Sequence, residues 1–224
     1  MSGQLAVEGD TAGGNKAANG DQVPSPAGSV EIVDVGFLDE DQYQHAIVLD
    51  IKLRNTGSQV AYRRSVTVNV RRAWRLEPKF ITGAFVHAPA NYDVEITTEG
   101  IPYSVTKAIS QAIQPHAVDR FTLRLRSPSH HVILADLDLT SDAGDKKLSS
   151  ASLLFAQAGS ACEYPVMTPE KLSAADAKVS QLAGTWATNW PEERRAIIHN
   201  NAVRDELRSI KAIRHKSVRE LESD

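Results

Sequence analysis

Residues 46–57 of this chain have the sequence Ala-Ile-Val-Leu-Asp-Ile-Lys-Leu-Arg-Asn-Thr-Gly. Apolar and charged residues alternate from Leu49 to Arg54, and the Asn-Thr-Gly that follows favours a turn. A period of two is typical of a β-strand with one face in a core and the other in water. The stretch therefore predicts a half-buried strand that ends at Asn55.

Similar short runs lie on both sides of this strand. They predict strands at 30–37, 46–55, 63–72, 92–96, 121–126, 133–139 and 149–155. Residues 104–113 fit either a weak helix or a further edge strand. Short alternating strands separated by turn residues favour a mainly β fold, here a seven-stranded antiparallel immunoglobulin-like β-sandwich over residues 29–160.

The segment before the sandwich has a different composition. Residues 1–28 are rich in glycine, proline and small polar residues and contain few large apolar ones. Such a segment buries too little surface to offset its loss of conformational entropy on ordering. We therefore expect residues 1–28 to form a disordered tail.

The segment after the sandwich, residues 161–224, has a helical pattern. Thr168 and Pro169 are suited to the cap and first position of a helix, and Gly184 is suited to its end. The sequence predicts two helices, at about 168–183 and 190–222. The longer one carries a single apolar stripe interrupted by Arg214, and the stripe consists of Ala196, Val203, Leu207, Ile210, Val218 and Leu221. A helix with one narrow apolar stripe needs a surface to pack against.

Charge and composition exclude some classes of protein. The 224 residues carry a formal net charge of -3, which gives no overall attraction to nucleic acid or to an anionic membrane. The single cysteine, Cys162, excludes an internal disulfide and a multi-cysteine zinc cluster. No stretch reaches the roughly 18 apolar residues of a membrane span, and the first residues lack the features of a secretory signal. We therefore expect a cytoplasmic protein without nucleic-acid or membrane partners.

Two phrases carry a resemblance to a known family. They are Leu49–Ala61, where Asn55 and Gly57 mark a turn between strands, and Gln114–Phe121, where a proline turn precedes a strand. Over about residues 30–156 the chain resembles bacterial immunoglobulin-like and fibronectin-type sandwich modules of the CARDB-like kind. The resemblance implies a non-catalytic interaction or spacer domain. Such modules are typically repeated and exported, whereas this chain has one copy.

Three groups of residues are candidates for chemistry. His130 and His131 precede Asp136 and Asp138, but adjacent strand residues point to opposite faces, so exposed histidines are favoured over metal ligands. The segment 138–145 contains oxygen ligands without the spacing of a calcium loop, and a hairpin turn is favoured there. Nothing near Cys162 in sequence indicates an activated thiol. We expect no catalytic residue, no metal and no cofactor.

The function predicted from these patterns is a non-catalytic protein-interaction or assembly module. Its sandwich serves as a platform, and its C-terminal helix joins a protein partner or another copy through Trp186, Trp190, Val203, Leu207, Ile210, Arg214 and Leu221. On this hypothesis, Leu207→Asp abolishes association and leaves the sandwich folded.

Two alternatives remain open at this point. The first is a structural subunit of a larger phage-like or secretion assembly. The second is a small ligand-binding protein or enzyme that uses the 74–116 loop, with His87, Tyr92, Tyr103 or His116 as polar groups. The second alternative requires these four side chains to converge on a concave pocket.

Overall fold

A computed structural model describes residues 29–38, 47–79, 90–141, 147–156, 164–181 and 185–223, without the side chains of 141 and 185–187. In chain order its elements are β1 (Val30–Phe37), β2 (Ile47–Asn55), β3 (Ala61–Arg75), β4 (Tyr92–Glu95), β5 (Tyr103–Ile113), β6 (Val118–Arg126), β7 (His131–Ser141), β8 (Leu148–Ser149), β9 (Leu153–Ala156), α1 (Pro169–Val179), α2 (Thr185–Arg208), β10 (Ile213–Arg214) and α3 (Lys216–Glu222). The predicted tail at 1–28, His87 and Cys162 lie outside the described residues.

The described strands form two sheets. The four-stranded sheet has the order β1-β2-β6-β4, and the six-stranded sheet has the order β10-β9-β7-β3-β5 with β8 beside β7. The mainly β prediction is confirmed. The seven-stranded, wholly antiparallel immunoglobulin-like arrangement does not match in detail, because the described residues form ten strands and include two parallel pairs, β4 with β6 and β10 with β9. In each parallel pair the later strand arrives after a long connection, as parallel pairing requires.

One hydrophobic core lies between the two sheets. It joins buried residues of the four-stranded sheet, such as Leu49, Ile51 and Phe121, to buried residues of the six-stranded sheet, such as Val68 and Leu137. Burying each such side chain contributes about 1.5–3 kcal/mol. The alternation of β2 and β6 thus places one face of each strand in this core.

The outward face of β2 is more covered than its sequence predicts. Val48 is fully buried because Leu38 and Ala90 pack on it. Asp50 is also buried, and its carboxylate lies 2.5 Å from Nε of Arg120 and 3.6 Å from Nζ of Lys52. The strand is therefore buried on both sides near its middle, and only its end follows the half-exposed pattern.

The turn after β2 depends on the side chain of Asn55. Its Nδ2 donates to the carbonyl oxygens of Gln59 at 2.7 Å and Ile113 at 2.9 Å. Its Oδ1 accepts a hydrogen bond from the Gly57 amide at 2.9 Å. Asn55 is fully buried, so these three bonds tie the turn to the end of β5 and set the direction in which β3 begins.

Two irregularities of β3 determine which side chains face the core. The strand pairs with β5 and β7, and its register shifts between Arg63 and Ser65 and again between Val70 and Arg72. A bulge of this kind changes which residues point to each face. Residues 61, 63, 66, 68 and 70 are therefore buried, and Trp74 is buried on the opposite face of the sheet. Residues 104–113 form the edge strand β5 rather than a helix.

A second hydrophobic cluster lies on the outer face of the six-stranded sheet, where the C-terminal helices cover it. The sheet and the residue that follows β3 contribute Trp74, Leu76, Val132, Leu134, Leu154 and Ala156, and the helices contribute Val203, Leu207, Val218 and Leu221. We call this set the helix-covered cluster. It supplies the surface that the apolar stripe of the helix requires.

The predicted helix at 190–222 is interrupted, so the described residues contain three helices instead of two. After Arg208 the chain leaves the helix, and Ile213 pairs with Leu153 of β9 before α3 begins at Lys216. His215 caps α3 through Nδ1, which accepts from the Ser217 amide at 3.4 Å. The helical period continues through this break, but pairing with a strand some sixty residues earlier outweighs it.

The other helix boundaries also differ from the prediction. α1 ends at Val179, and α2 begins at Thr185 and continues through Pro191. Thr168 caps α1 as predicted, because its side chain accepts from the Lys171 amide. No helix in the described ranges is long and apolar enough to cross a membrane.

Candidate functional site

The predicted interaction stripe lies inside the molecule. Val203, Leu207 and Leu221 are buried in the helix-covered cluster, and Ile210 packs against its margin. These residues therefore contact the six-stranded sheet of their own chain. Their proposed role with a partner stays a prediction, but in this conformation their apolar side chains already pack against the chain's own sheet.

Arg214 connects the end of α2 with α3. Its Nη2 donates to the carbonyl oxygens of Leu207 at 3.1 Å and Ile210 at 2.7 Å, and its Nη1 donates to that of Ala212 at 3.1 Å. Its Nε lies 2.9 Å from the carboxylate of Glu222. The guanidinium thus adds donors to carbonyl groups at and just beyond the end of α2, where the helix supplies fewer amide donors.

The two tryptophans of the prediction have different positions. Trp190 is buried, and its Nε1 donates to Oδ1 of Asp176 on α1 at 2.9 Å. Nε of Arg194 lies at the same distance from that oxygen. The Trp190 hydrogen bond, followed by the Arg194 interactions, outweighs partial burial and holds the pKa of Asp176 below its usual value. Trp186 belongs to α2, but its side chain lies outside the described residues.

Polar contacts also fix α2 to the six-stranded sheet. Nε1 of Trp74 donates to the Glu206 carboxylate at 2.8 Å. Nη2 of Arg72 lies 2.6 Å from the same carboxylate, and the Arg72 guanidinium carbon lies 4.7 Å from the centre of the Trp74 ring. Asn200, which is fully buried, bonds to both the amide and the carbonyl of Glu77 at 2.9 Å. The helices and the sandwich are therefore held together by polar as well as apolar contacts.

The two histidines at the start of β7 contact different groups, one a side-chain hydroxyl and the other a backbone carbonyl. His130 has a positive φ of 64°, and its Nδ1 lies 3.1 Å from the Tyr164 hydroxyl. Burial, with smaller contributions from His131 and Arg75, lowers the pKa of His130 below its ordinary value. Nδ1 of His131 lies 2.9 Å from the Ser129 carbonyl oxygen. The two imidazoles thus have separate partners.

The two aspartates of β7 are bound by cations and hydroxyls. Asp136 lies 2.9 Å from Nε of Arg71. Asp138 is buried and accepts from Lys147 at 2.8 Å, from Ser149 at 2.7 Å and from Asn69. Burial acts to raise the pKa of Asp138, but these hydrogen bonds outweigh it and the pKa is lowered. In the described part of the chain, no cluster of three or more histidine, cysteine or acidic residues could hold a metal ion.

The polar residues predicted for the 74–116 loop do not converge where they are described. The Tyr92 hydroxyl lies 3.0 Å from the Ser110 amide, and the Tyr103 hydroxyl bonds to both the amide and the carbonyl of Thr97. His116 has a positive φ of 59° in the turn before β6. Both tyrosines therefore bridge the edge of β5 and the end of β4.

The opposite side of the sandwich has a different edge. β1 is the terminal strand of the four-stranded sheet, and no described strand pairs with its outer side. Its register shifts between Ile32 and Asp34, and the intervening Val33 is 43% exposed. An unpaired edge strand offers backbone donors and acceptors to another chain.

A groove of about 780 Å³ lies between α2 and the segment that follows β3. Its lining is mainly polar and includes Glu77, Lys79, Glu193, Arg195 and His199. Lys79 and Glu193 form an ion pair at 3.0 Å, and Nε2 of His199 lies 2.8 Å from the Arg75 carbonyl oxygen. Among the described residues of the predicted 74–116 loop, Glu77, Pro78 and Lys79 line the groove.

Arg63 on β3 is a functional candidate that the sequence patterns did not indicate. The residue is only 4% exposed, and its Nε is buried without a hydrogen-bond partner. Burial lowers the pKa of the guanidinium. Val66, Val68 and Val70 are buried, so strict alternation along β3 would place Arg63 on the exposed face. The bulge between Arg63 and Ser65 shifts the alternation by one residue and turns Arg63 to the buried face.

Comparisons with known proteins give weak structural similarities and indicate no function for this chain. No family model and no curated protein matches this chain. Among solved structures, the ApaA protein from Bordetella pertussis is 15% identical over 58% of this chain and 92% of that chain, with a TM-score of 0.25. Spo0M, a sporulation control protein from Bacillus subtilis, is 11% identical over 67% of this chain and 54% of that chain, with a TM-score of 0.27. These TM-scores are too low to support any inference.

Proposed function

We propose that this protein is a non-catalytic protein-interaction or assembly module. The sandwich and the C-terminal helices act as one rigid platform, because the helix-covered cluster and the contacts of Trp74, Asn200 and Arg214 join them. This assignment moves recognition away from the helical stripe, whose apolar residues already contact the sheet. The resemblance of residues 30–156 to CARDB-like modules remains a prediction and implies the same kind of role.

The observation that carries the proposal is that the two sides of the sandwich differ in the hydrogen bonding of their edge strands. On the side where β5 and β4 end the two sheets, tyrosine hydroxyls accept hydrogen bonds from the backbone amides of Ser110 and Thr97. On the other side, β1 presents an eight-residue edge with the exposed Val33 and no described strand beside it. Strand addition to such an edge is a common mode of protein recognition. We infer that β1 is the binding edge.

The proposal is tested with a matched pair of exposed valines. Val33 and Val118 are 43% and 54% exposed, but only Val33 lies on the free edge strand. A lysine on an edge strand opposes pairing with another strand. Val33→Lys should abolish self-association in light scattering, or the capture of a protein partner, and Val118→Lys should retain it. Both variants should melt close to the wild-type temperature.

The proposal fails if association is unchanged in Val33→Lys, or if both lysine variants lose it equally. It also fails if the purified chain is monomeric and the wild type captures no protein that Val33→Lys fails to capture. Deleting residues 165–224 is a poor test, because it would uncover the sheet side of the helix-covered cluster. Leu207→Asp is equally poor, because Leu207 is fully buried there.

The groove beside α2 supports a second candidate, binding of a small polar ligand. Its charged lining by Lys79, Glu193 and Arg195 suits a ligand with both donors and acceptors. Glu193→Gln should then abolish the thermal stabilisation that such a ligand gives to the wild-type protein. Equal stabilisation of both proteins would exclude this groove as the site.

A further inference from the structure

Arg63 is a buried cation that the rest of the described fold leaves without a counter-charge. Its guanidinium makes no hydrogen bond or ion pair with any described residue, and the residue is only 4% exposed. An arginine keeps its charge in proteins, so it cannot escape this environment by losing a proton. A buried unpaired charge is strongly unfavourable.

Other buried charges of the described residues are compensated. Asp50 lies 2.5 Å from Arg120, and Asp138 lies 2.8 Å from Lys147. Where this fold buries a carboxylate, it also supplies a cation. The buried cation Arg204, whose Nε also makes no hydrogen bond, lies 3.9 Å from the Asp205 carboxylate, whereas Arg63 has no such ion pair with a described residue. This difference indicates that the partner of Arg63 comes from another source.

The surroundings of Arg63 define the charge that fits. In the sheet its register partners are Gln111 on β5 and Ser141 on β7, and neither residue type is charged. Gln111 directs its Nε2 to the Tyr92 hydroxyl at 3.3 Å. Nε is the fully buried unpaired nitrogen, so the terminal nitrogens are the ones that an incoming group can reach.

A carboxylate matches this site in charge and geometry. One unpaired guanidinium offers one positive charge, which a single carboxylate balances. The planar arginine fork also accommodates two carboxylate oxygens side by side. A phosphate near pH 7 brings additional negative charge that this site, with one cation, leaves uncompensated.

We propose that Arg63 is the receptor for a carboxylate of a protein partner, carried by an acidic side chain or a C-terminus. The identity of the source as a protein rests on the proposed interaction function. The carboxylate chemistry does not, because it can be measured on the isolated chain. The exposed neighbour Arg64 provides a matched control on the same strand.

The first experiment is thermal unfolding of the full chain in sodium acetate and in sodium chloride at equal ionic strength. Acetate should raise the unfolding midpoint of the wild type and of Arg64→Met by a few degrees. Arg63→Met should have a higher midpoint than the wild type in chloride, because the unpaired charge is gone, and acetate should not raise it further. An acetate response that survives in Arg63→Met overturns the proposal, and so does a lower midpoint of that variant in chloride.

A second measurement does not depend on the folding of the methionine variant. In the NMR spectrum of the wild type, one arginine Nε–Hε signal should move saturably with acetate, and Arg63→Lys should remove that signal. If no arginine signal moves, or if the moving signal persists in Arg63→Lys, the proposal is wrong.

The source of the carboxylate is then assigned by two further comparisons. A captured partner that is lost with Arg63→Met and kept with Arg64→Met supports a protein source. If both variants capture the partner equally and the wild type still responds to acetate, the site binds a free carboxylate and the protein source is overturned.

Asp142 and Asp145 follow β7 in the sequence. If replacing both with asparagine destabilises the wild type but not Arg63→Met, the counter-charge belongs to this chain and the proposal is overturned.

Discussion

Nε of Arg214 lies 2.9 Å from the carboxylate of Glu222, so the short strand β10 is tied to the last turn of α3. The same guanidinium donates to the carbonyl oxygens of Leu207 and Ile210 at the end of α2. A residue that the sequence pattern assigned to a partner interface therefore organises the C-terminal segment of its own chain.

Replacing Arg214 should destabilise the folded protein. Arg214→Met removes the guanidinium from the Glu222 carboxylate and from the Ile210 carbonyl, and we expect a loss of about 2 kcal/mol in unfolding free energy. The measurement is denaturant unfolding followed by circular dichroism. Lys216→Met is the control, because the exposed Lys216 lies 3.9 Å from Glu220 and contributes below about 0.5 kcal/mol. Equal losses in both variants would contradict the role of Arg214.

Leu207 should behave as a core residue. Leu207→Ala removes a fully buried side chain from the helix-covered cluster and should cost about 2–5 kcal/mol. Ile198→Ala, at an exposed position of the same helix, should change the unfolding free energy by less than about 0.5 kcal/mol. Comparable stability of the two variants in thermal and denaturant unfolding would mean that α2 does not pack as described.

Asn55 should matter for its amide donors as well as for its acceptor. Asn55→Ala leaves the buried Ile113 carbonyl unsatisfied and should cost about 2 kcal/mol or more. Asn55→Asp keeps an oxygen for the Gly57 amide but loses both donors, so it should not restore stability. Recovery of wild-type stability in Asn55→Asp would show that the turn needs only the acceptor.

His130 should make the stability depend on pH in the mildly acidic range. Because burial lowers its folded-state pKa, the folded protein binds this proton less readily than the unfolded chain. The stabilisation is fully present above the unfolded pKa of about 6.5 and is lost as the pH falls through the lower folded pKa. His130→Asn removes this dependence, and asparagine tolerates the positive φ of the position.

The measurement is the unfolding free energy between neutral pH and pH 5 for the wild type, His130→Asn and the control His131→Asn. The wild type and His131→Asn should lose stability toward pH 5 more steeply than His130→Asn. Parallel pH profiles for all three proteins would contradict the assignment to His130.

Local patterns were sufficient to locate most of the strands. The alternation of Leu49, Ile51 and Leu53 identified β2 and its buried face, because a half-buried strand imposes a period of two on its own sequence. The same reasoning failed at Arg63, since a bulge shifts the parity and leaves no clear local signal. The buried Arg63, and with it the proposed carboxylate site, therefore required the structure.

The C-terminal segment shows a different limit. Its apolar stripe correctly indicated that the helix packs against something, but not that the partner surface is the chain's own sheet. The interruption at Ile213 follows from pairing with Leu153, which is distant in sequence. Periodicity records which residues are buried and not what buries them, so a docking helix and an intramolecular one have the same pattern.

Hydrogen exchange of the native protein measures most directly whether the helices belong to the platform. Amides in the middle of α2, around Ile197 to Leu207, should exchange with the same free energy of opening as those of β7. That result would mean that helices and sandwich unfold together and that recognition must use the remaining surface, including β1. If the α2 amides instead exchange at a much lower free energy while β7 stays protected, the helices are a separable arm, and a single rigid platform is contradicted.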